Sequence, residues 1–338
     1  MLAALVRQPG ETVLEIVERD IPRPGPGEVL VNLKYATLNY RDLLTVVGGY
    51  GSEQKRSDLV PLSDAAGVVA EVGAGVSEFC PGDRVVPCFF QDWDKGRADT
   101  VNLKSNLGGI LDGVAAEFAL FKPGGLVRIP DGMSLEHAAA FPCAGVTAWN
   151  AVVGEGGVTP GQFVVTQGTG GVSIFAMQIA RMAGARLLST SSSRSKLENL
   201  GLSDVIVDYA AEPQWSASVL RATDGAGADL VVEVGGAETL KQSLKAVRTG
   251  GRIAVIGVLS GLRTELNLSH LVQRYVRMQG VTVGHRTHLS AALAAFANSG
   301  VRPRLDDRRF SLPELPSALE YMRAGKHIGK ILISLGEV

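Results

Sequence analysis

One stretch of the sequence decides the fold: residues 163–173 are Phe-Val-Val-Thr-Gln-Gly-Thr-Gly-Gly-Val-Ser. The first five, Phe163 to Gln167, are rich in β-branched and aromatic types and predict a buried strand, and apolar residues at helical spacing follow the glycines as far as Ala183. Glycines between a strand and a helix let backbone N–H groups and the positive end of the helix approach a pyrophosphate. The stretch therefore predicts a strand, a turn and a helix around a bound dinucleotide.

The turn matches the G-x-G-x-x-G pattern at Gly168 and Gly170 and has Ser173 in place of the third glycine. A small residue at that position still permits the helix to pack closely on the strand. The alternative is an ordinary turn in a chain that contains 41 glycines. The alternation of strands and helices after the turn favours the dinucleotide.

Length and composition are those of a protein with about two domains and substantial cores: 338 residues, 46% of them hydrophobic. Lys and Arg number 33 against 34 Asp and Glu, and the net charge of -1 argues against a nucleic acid or an acidic membrane surface as the partner. The longest uncharged run, residues 156–180, contains six glycines and Pro160, so we expect no membrane span.

The cysteines and the N-terminus favour a cytoplasmic location. Cys80, Cys88 and Cys143 are too few for a disulfide framework and suit a reducing compartment. The first residues, Met1 to Arg7, lack the charged start, long apolar core and cleavage site of a signal peptide, so none is expected.

The first third of the chain, up to about Lys122, consists of short apolar or alternating segments separated by proline and glycine. This pattern predicts a β-rich module. Helical spacing between Asn39 and Val47 predicts one short helix, and the irregular piece from Gln91 to Gly113 predicts a loop. Strands are expected at Leu2–Arg7, Val13–Ile16, Val29–Ala36, Gly67–Val72, Arg84–Phe89 and Ala116–Leu120.

After Gly125 the pattern changes to six strand candidates that alternate with segments of helix length. Parallel strands require crossover connections whose helices cover both faces of the sheet, so this order predicts a doubly wound (Rossmann) parallel sheet. Beyond Arg286 we expect two more helices and a final strand at Lys330–Ser334. The six strands are expected at Phe163–Gln167, Arg186–Thr190, Val205–Asp208, Leu230–Val234, Arg252–Ile256 and Gln279–Val283.

Five stretches, in the same order, resemble the medium-chain dehydrogenase/reductase superfamily: residues 39–42, 67–73, 81–85, 143–149 and 168–172. The resemblance implies an α/β fold with a β-rich GroES-like catalytic domain, residues 1–124 and 285–338, and a Rossmann dinucleotide-binding domain, residues 125–284. It places the cofactor in the cleft between them. It also implies a small-molecule substrate and a homodimer formed through the last strand of the parallel sheet.

The superfamily divides into zinc alcohol dehydrogenases and zinc-free reductases, and a few positions distinguish them. Where the zinc enzymes have a Cys and a Gly-His-Glu triplet, this sequence has Asn39 and Leu62-Ser63-Asp64, and only Cys143 matches a zinc ligand. One thiolate cannot hold a catalytic zinc, which needs three protein ligands. The loop 91–113 contains no cysteine for a structural zinc, and His285 and His288 form a histidine pair without a thiolate beside it. We therefore predict no metal.

Without a metal, hydride transfer depends on cofactor positioning and on hydrogen-bond donors, and we predict Tyr50 and Asn39 as the catalytic residues. The runs 39–44 and 48–50 resemble the quinone oxidoreductase and enoyl reductase branches, including enoyl reductase domains of polyketide synthases. In several of those, a tyrosine matching Tyr50 faces the substrate as a candidate proton donor. Gly51 replaces the common proline here, and the alternative is that Tyr50 packs on its loop and Asn39 serves a turn.

Residues about twenty positions after the glycine turn predict NADP(H). An Asp or Glu there binds the ribose of NAD, whereas this sequence has hydroxyls and cations and no acid before Glu198. Those groups suit a 2′-phosphate, and the alternative is a serine-rich helix cap with two solvated cations. The predicted cofactor contacts are Thr147, Gly168, Thr169, Gly170, Gly171, Val172, Thr190, Ser191, Ser192, Arg194, Lys196, Tyr209, Gly235, Gly257, Val258 and Lys330.

Together these features predict an NADPH-dependent, zinc-independent oxidoreductase that transfers hydride to an activated C=C bond or a quinone. Two alternatives stay open: a zinc-free alcohol or aldehyde dehydrogenase, and a non-catalytic NADPH-binding protein like the zeta-crystallins. The rates of turnover of a quinone, an enone and an aldehyde distinguish the predicted reductase from the alcohol or aldehyde dehydrogenase. Cofactor binding without turnover favours the non-catalytic protein.

Overall fold

The computed structural model describes residues 1–7, 14–47 and 57–336. The chain divides into two units, one formed by Met1–Val146 with Gly284–Val338 and the other by Thr147–Val283. The first unit extends beyond the predicted boundary at residue 124 because residues 125–146 bond to its strands. Strand Leu126–Arg128 pairs with strand Arg84–Pro87, and the Thr37 hydroxyl donates to Ala139 O at 3.0 Å.

The first unit begins with a β-rich segment, and among its described residues a short α-helix follows Asn39, as predicted. Asn39 caps the N-terminus of that helix. Its backbone is extended, and its N–H donates a hydrogen bond to Asp42 Oδ2 in the first turn, at 2.7 Å. The elements are β1 (Leu2–Val6), β2 (Leu14–Glu18), β3 (Val29–Thr37), α1 (Tyr40–Val46), β4 (Asp64–Val72), β5 (Arg84–Pro87), β6 (Phe118–Phe121), β7 (Leu126–Arg128) and α2 (Leu135–Ala138).

The second unit contains a six-stranded parallel sheet, which confirms the predicted doubly wound fold. Its elements are α3 (Val146–Trp149), β8 (Phe163–Gln167), α4 (Gly171–Met182), β9 (Arg186–Ser191), α5 (Arg194–Leu200), β10 (Val205–Asp208), α6 (Ser216–Ala222), β11 (Ala228–Glu233), α7 (Leu240–Ala246), β12 (Val247–Val255), α8 (Leu268–Gln273) and β13 (Arg277–Gly280). The strand order is β10-β9-β8-β11-β12-β13, the 3-2-1-4-5-6 arrangement of dinucleotide-binding sheets. The order reverses between β8 and β11, where such sheets bind ligands.

The chain then returns to the first unit through α9 (Arg286–Ser299), β14 (Leu305–Ser311), α10 (Leu315–Arg323) and β15 (Lys330–Ser334). The resulting seven-stranded sheet has the order β14-β15-β3-β4-β5-β7, with β6 paired to β3. β15 pairs antiparallel with β3, so the last strand lies beside a strand from the start of the chain. Within the described residues, no helix is long and apolar enough to cross a membrane.

Candidate functional site

The glycine turn leaves open space around Gly168 and Gly170 at the start of α4. Gly168 has φ +73°, a left-handed conformation that favours glycine, and its N–H donates to Thr190 O at 2.6 Å. A Cβ added at Gly168 or Gly170 would meet no atom within 4 Å. Ser173, in the third glycine position, is buried and donates its hydroxyl to Gln167 O at 2.6 Å, which ties the helix to the strand. The open turn at the N-terminus of a 12-residue helix fits the pyrophosphate of a dinucleotide.

The ends of β9 and β10 lie beside the turn. Tyr209 N–H donates to Ser191 O at 3.1 Å, and Ser191 Oγ accepts from Ser193 N–H at 3.1 Å. Thr190 and Ser191 are buried, whereas Ser192, Arg194 and Tyr209 are exposed. The structure therefore brings Ser191 and Tyr209 together where β9 and β10 end, with Ser192 and Arg194 exposed in the segment that follows β9.

Arg194, the predicted 2′-phosphate ligand, has protein partners in this structure. Its Nε donates to Glu198 Oε1 at 2.8 Å and its Nη1 to Ile206 O at 3.3 Å. Both Arg194 and Glu198 are more than half exposed, so the pair is weak and can exchange for a stronger anion. Arg194 is thus held beside β10 by an exposed ion pair and one backbone carbonyl.

On the other side of β8, the predicted contacts Gly235 and Gly257 serve the protein's own packing. Gly235 N–H donates to Glu233 Oε1 at 2.8 Å and to Gln167 Oε1 at 3.2 Å, so this amide is already used. A Cβ at Gly257 would lie 2.1 Å from Val234 O. These glycines let two loops approach each other, and Val258 and Leu259 are exposed in the second of them. Thr147, at the start of the second unit, is buried.

Lys330, predicted as a cofactor contact, is a buried cation of the first unit. Its side chain is 2% exposed, and Nζ donates to Leu38 O at 2.7 Å, to Asp64 Oδ2 at 3.1 Å and to Asn39 Oδ1. An ammonium group has three N–H donors, and all three are used inside the first unit. The side chain faces inward because β15 pairs with β3, which places Lys330 next to the residues that follow β3.

Asn39, predicted as a catalytic donor, belongs to the same buried cluster. Its Oδ1 accepts from Lys330 and its Nδ2 lies 3.5 Å from Ser63 Oγ, while Ser63 donates to Asp64 Oδ1 at 2.9 Å. We call Lys330, Asn39, Ser63 and Asp64 the ammonium cluster. The Asn39 carboxamide is directed into this cluster, and its contacts are those of a structural residue. Tyr50, the other predicted catalytic residue, lies outside the described residues.

The ammonium cluster does not fit a catalytic zinc. Such a site needs three thiolate, imidazole or carboxylate ligands around one open position. Here the buried Lys330 ammonium group is bonded to Asn39 and Asp64, which stand where the zinc enzymes have their ligand segments. Burial also raises the pKa of the Cys143 thiol well above its usual range, which opposes the thiolate that zinc binds. Elsewhere, within residues 1–7, 14–47 and 57–336, no three His, Cys, Asp or Glu side chains are grouped to hold a metal.

His285 and His288 form a helix cap. Their rings stack at 3.6 Å between centroids, and His285 Nδ1 accepts from His288 N–H at 3.2 Å at the start of α9. Trp93 packs edge-on against His285 at 5.5 Å. Arg286 and Thr287 N–H bond to the carbonyls of Trp93 and Asp94, so this cap anchors the predicted loop 91–113.

Asp42, next to the ammonium cluster, makes stability depend on pH. Burial raises its pKa to about 6, although Arg41 and the Asn39 N–H act in the opposite direction. An aspartate in an unfolded chain titrates near pH 4, so the folded state holds this proton more tightly. The stabilisation from the proton is complete below about pH 4 and is lost as the pH rises through about 6.

We therefore expect the free energy of unfolding of the wild type, relative to Asp42→Asn, to fall by about 3 kcal/mol between pH 4 and pH 7. Asparagine keeps an oxygen for the Asn39 N–H and does not titrate. Urea denaturation of both proteins across this range measures the difference. A difference that stays constant with pH would contradict a raised pKa at Asp42.

Two family models match the chain in the order of its two units. A model described as alcohol dehydrogenase GroES-like domain matches residues 25–131, and one described as zinc-binding dehydrogenase matches residues 171–298. With the open glycine turn and the 3-2-1-4-5-6 sheet, they define the class of protein: an oxidoreductase that uses a nicotinamide dinucleotide.

Similar proteins cover nearly the whole chain. A zinc-type alcohol dehydrogenase-like protein of Schizosaccharomyces pombe is 38% identical over 94% of both chains, and an acryloyl-coenzyme A reductase of Metallosphaera sedula is 28% identical over 95% of this chain and 96% of its own. The crystal structure of a candidate alcohol dehydrogenase from Sinorhizobium meliloti 1021 superposes with a TM-score of 0.92 at 36% identity over 98% of both chains. The chain belongs to the medium-chain dehydrogenase/reductase superfamily, as an alcohol dehydrogenase-like oxidoreductase.

Proposed function

We propose that this protein is an NADPH-dependent, zinc-independent oxidoreductase that transfers hydride to an activated C=C bond or a quinone. The ammonium cluster carries the proposal. Lys330 Nζ is bonded to Asn39 and Asp64, which stand where the zinc enzymes of the superfamily have their ligand segments. A second cation would be repelled by this ammonium group, and both oxygens of Asp64 already accept a hydrogen bond.

The substrate class follows from the hydride acceptors that can react without a metal ion. The cofactor supplies hydride, and a carbon made electrophilic by a conjugated carbonyl accepts it without a metal ion. Acceptance leaves negative charge on the carbonyl oxygen, which a hydrogen-bond donor must meet. The acryloyl-coenzyme A reductase relative supports a conjugated C=C bond as the acceptor.

We assign the proton and the oxyanion contact to Tyr50 or to water, because the Asn39 carboxamide is used in the ammonium cluster. Tyr50→Phe removes the hydroxyl and keeps the ring. We expect a large fall in kcat with little change in the dissociation constant of NADPH. Unchanged turnover of an enone and a quinone would remove Tyr50 from the mechanism.

The substrate class is tested by NADPH oxidation with an enone, a quinone and an aldehyde at equal concentrations. Faster turnover of the enone or quinone is expected. Preference for the aldehyde would favour the alternative, a zinc-free alcohol or aldehyde dehydrogenase, in line with the alcohol dehydrogenase-like relative. Binding of NADPH without turnover of any acceptor would contradict an enzyme and favour a crystallin-like protein.

NADPH is the proposed cofactor because Ser192 and Arg194 are exposed where the ribose of a dinucleotide would lie, beside the end of β9. We expect Arg194→Gln to reduce the ratio of kcat/KM for NADPH to that for NADH by roughly tenfold, since a charge-assisted bond to the phosphate is lost. Steady-state kinetics with both cofactors measure this ratio. The matched control is Arg181→Gln near the C-terminal end of α4, where the arginine pairs with Asp204. A wild-type preference for NADH would contradict the assignment.

We also propose a homodimer formed through the edge of the parallel sheet. Among the described strands, β13 pairs with β12 on one side, and the adjacent segment exposes Leu268, Val272 and Tyr275, at 63%, 72% and 75%. Exposed apolar side chains beside an open strand edge are typical of an interface. Light scattering during gel filtration is expected to give twice the mass of the chain, and the mass of one chain would contradict the proposal.

A further inference from the structure

A buried carboxylate, Glu233, lies at the end of β11 in the second unit. Its side chain has no exposed surface, and the groups that donate to it are neutral. Oε1 accepts from the N–H groups of Gly235 and Gly236, at 2.8 and 2.9 Å, and from Thr239 Oγ1 at 2.5 Å. Oε2 accepts from Gln167 Nε2 at 2.9 Å and from Ser243 Oγ. Burying a carboxylate with only neutral donors is costly, so a role for its charge is expected.

Gln167 connects this carboxylate to the glycine turn. It is the last residue of β8, immediately before Gly168. Its Nε2 donates to Glu233 and, at 3.0 Å, to Ser243 Oγ, while its Oε1 accepts from Val234 and Gly235 N–H, both at 3.2 Å. Gln167 and Glu233 therefore bond the ends of β8 and β11 to each other, at the point where the strand order reverses.

The same contacts extend to the loop after β12. Gly235 O accepts from Ser260 N–H at 2.8 Å and from Ser260 Oγ at 2.9 Å, and Ala237 N–H donates to Gly261 O at 3.2 Å. A Cβ at Gly236 would lie 2.8 Å from Val258 Cα. A continuous set of bonds thus connects the glycine turn, the loop 234–237 and the loop 257–261.

We propose that Glu233 and Gln167 are positioning residues for the dinucleotide. The carboxylate orders two consecutive N–H groups, and the carboxamide holds the loop after β11 at a fixed distance from the glycine turn. Both halves of the cofactor then meet a site that is already formed, and binding does not have to order the loop. The inference rests on the proposed cofactor site in this unit and does not depend on the choice of NADPH over NADH.

The test exchanges the two side chains. Glu233→Gln puts an amide nitrogen opposite either Gln167 Nε2 or the Gly235 and Gly236 N–H groups, so one set of donors loses its acceptor. We expect the dissociation constant of NADPH to rise roughly tenfold or more, with kcat at saturating NADPH within about twofold of the wild type. The double variant Gln167→Glu/Glu233→Gln restores every bond with the carboxylate and amide interchanged, and we expect it to recover most of the affinity.

The matched control is Asp229→Asn at the opposite end of β11. Asp229 also accepts a backbone N–H, from Phe163 at 2.8 Å, and a side-chain donor, Arg248 Nε at 2.6 Å, so it bonds β11 to neighbouring elements away from the site. We expect it to lower the thermal midpoint without changing the dissociation constant. Thr239→Val removes one donor to Oε1, and a smaller loss of affinity is expected even if Glu233→Gln folds poorly.

Titration of intrinsic fluorescence with NADPH measures the dissociation constant for all five proteins: the wild type, Glu233→Gln, the double variant, Asp229→Asn and Thr239→Val. Affinity that is unchanged in Glu233→Gln and in Thr239→Val would overturn the positioning role, and so would failure of the double variant to recover affinity. Wild-type protein that binds neither NADPH nor NADH would overturn the proposed cofactor site and this inference with it. Wild-type protein that binds the cofactor, with unchanged affinity in the variants, would overturn the positioning role alone.

Discussion

Lys330→Met is expected to lower the free energy of unfolding by about 3–5 kcal/mol, the range found when one member of a buried ion pair is removed. The methionine side chain has nearly the length of the lysine but no donors. Asp64, which is completely buried, then loses its cation, and Leu38 O and the Asn39 carboxamide lose a hydrogen bond each. Urea denaturation followed by circular dichroism measures the change.

The matched control is Lys95→Met, an exposed lysine in the same unit, which is expected to change the free energy of unfolding by about 0.5 kcal/mol or less. The double variant Lys330→Met/Asp64→Asn removes the unpaired charge and is expected to recover part of the loss. If Lys330→Met unfolded at the same urea concentration as Lys95→Met, the ammonium cluster would not stabilise the protein as its contacts imply.

Gly170→Val is expected to weaken cofactor binding roughly 100-fold or more, about 3 kcal/mol, because it places a branched side chain where the pyrophosphate approaches the helix. The fold tolerates the change. Gly170 has φ −77° and ψ 173°, an extended conformation open to any residue, and an added Cβ meets nothing within 4 Å. The loss of a favourable N-cap residue costs about 1 kcal/mol of stability. Isothermal titration with NADPH and with NADH measures the effect.

Gly124→Val is the matched control for this substitution. Gly124 is exposed in the first unit and also has no atom within 4 Å of an added Cβ. We expect the wild-type affinity for the cofactor in this variant. Tight binding of NADPH by Gly170→Val would show that the pyrophosphate does not lie on the glycine turn.

Most of the fold follows from local patterns. Continuous apolar runs predict the parallel strands because the central ones are buried on both faces of the sheet, and helical spacing predicts most helices because each helix buries one face. β14 (Leu305–Ser311) is not predicted by its sequence, since Asp307, Arg308 and Arg309 make it too polar for the pattern of a buried strand. The predicted strand Gln279–Val283 lies later than β13 because Val281 and Val283 are apolar and indeed buried, whereas the ladder with β12 ends at Gly280.

The site was less predictable, because burial of a charged side chain depends on partners far away in the sequence. Lys330 pairs with Asp64, which lies 266 positions earlier, and no local pattern distinguishes it from a surface lysine. Arg41 is likewise buried, and it donates to Leu107 O and Gly108 O, both at 2.9 Å and more than 60 positions later. Glu233 gave one local signal, an acid directly after the apolar run Leu230–Val232, which is unusual in a buried strand.

The glycine turn was predictable for the opposite reason. Its residues are consecutive, and the conformation that binds a pyrophosphate requires glycine at positions that can be recognised in the sequence alone. Ser173 shows how far the pattern can vary, since its hydroxyl adds a bond to Gln167 O where a third glycine would have none.

Zinc content and turnover, measured on the same preparation, test the proposed chemistry most directly. The protein is purified without added metal, its zinc is determined by mass spectrometry, and NADPH-dependent reduction of an enone and a quinone is followed before and after treatment with a chelator. The ammonium cluster predicts far less than one zinc ion per chain and turnover that the chelator leaves unchanged. One zinc ion per chain, with turnover that the chelator abolishes and zinc restores, would contradict it.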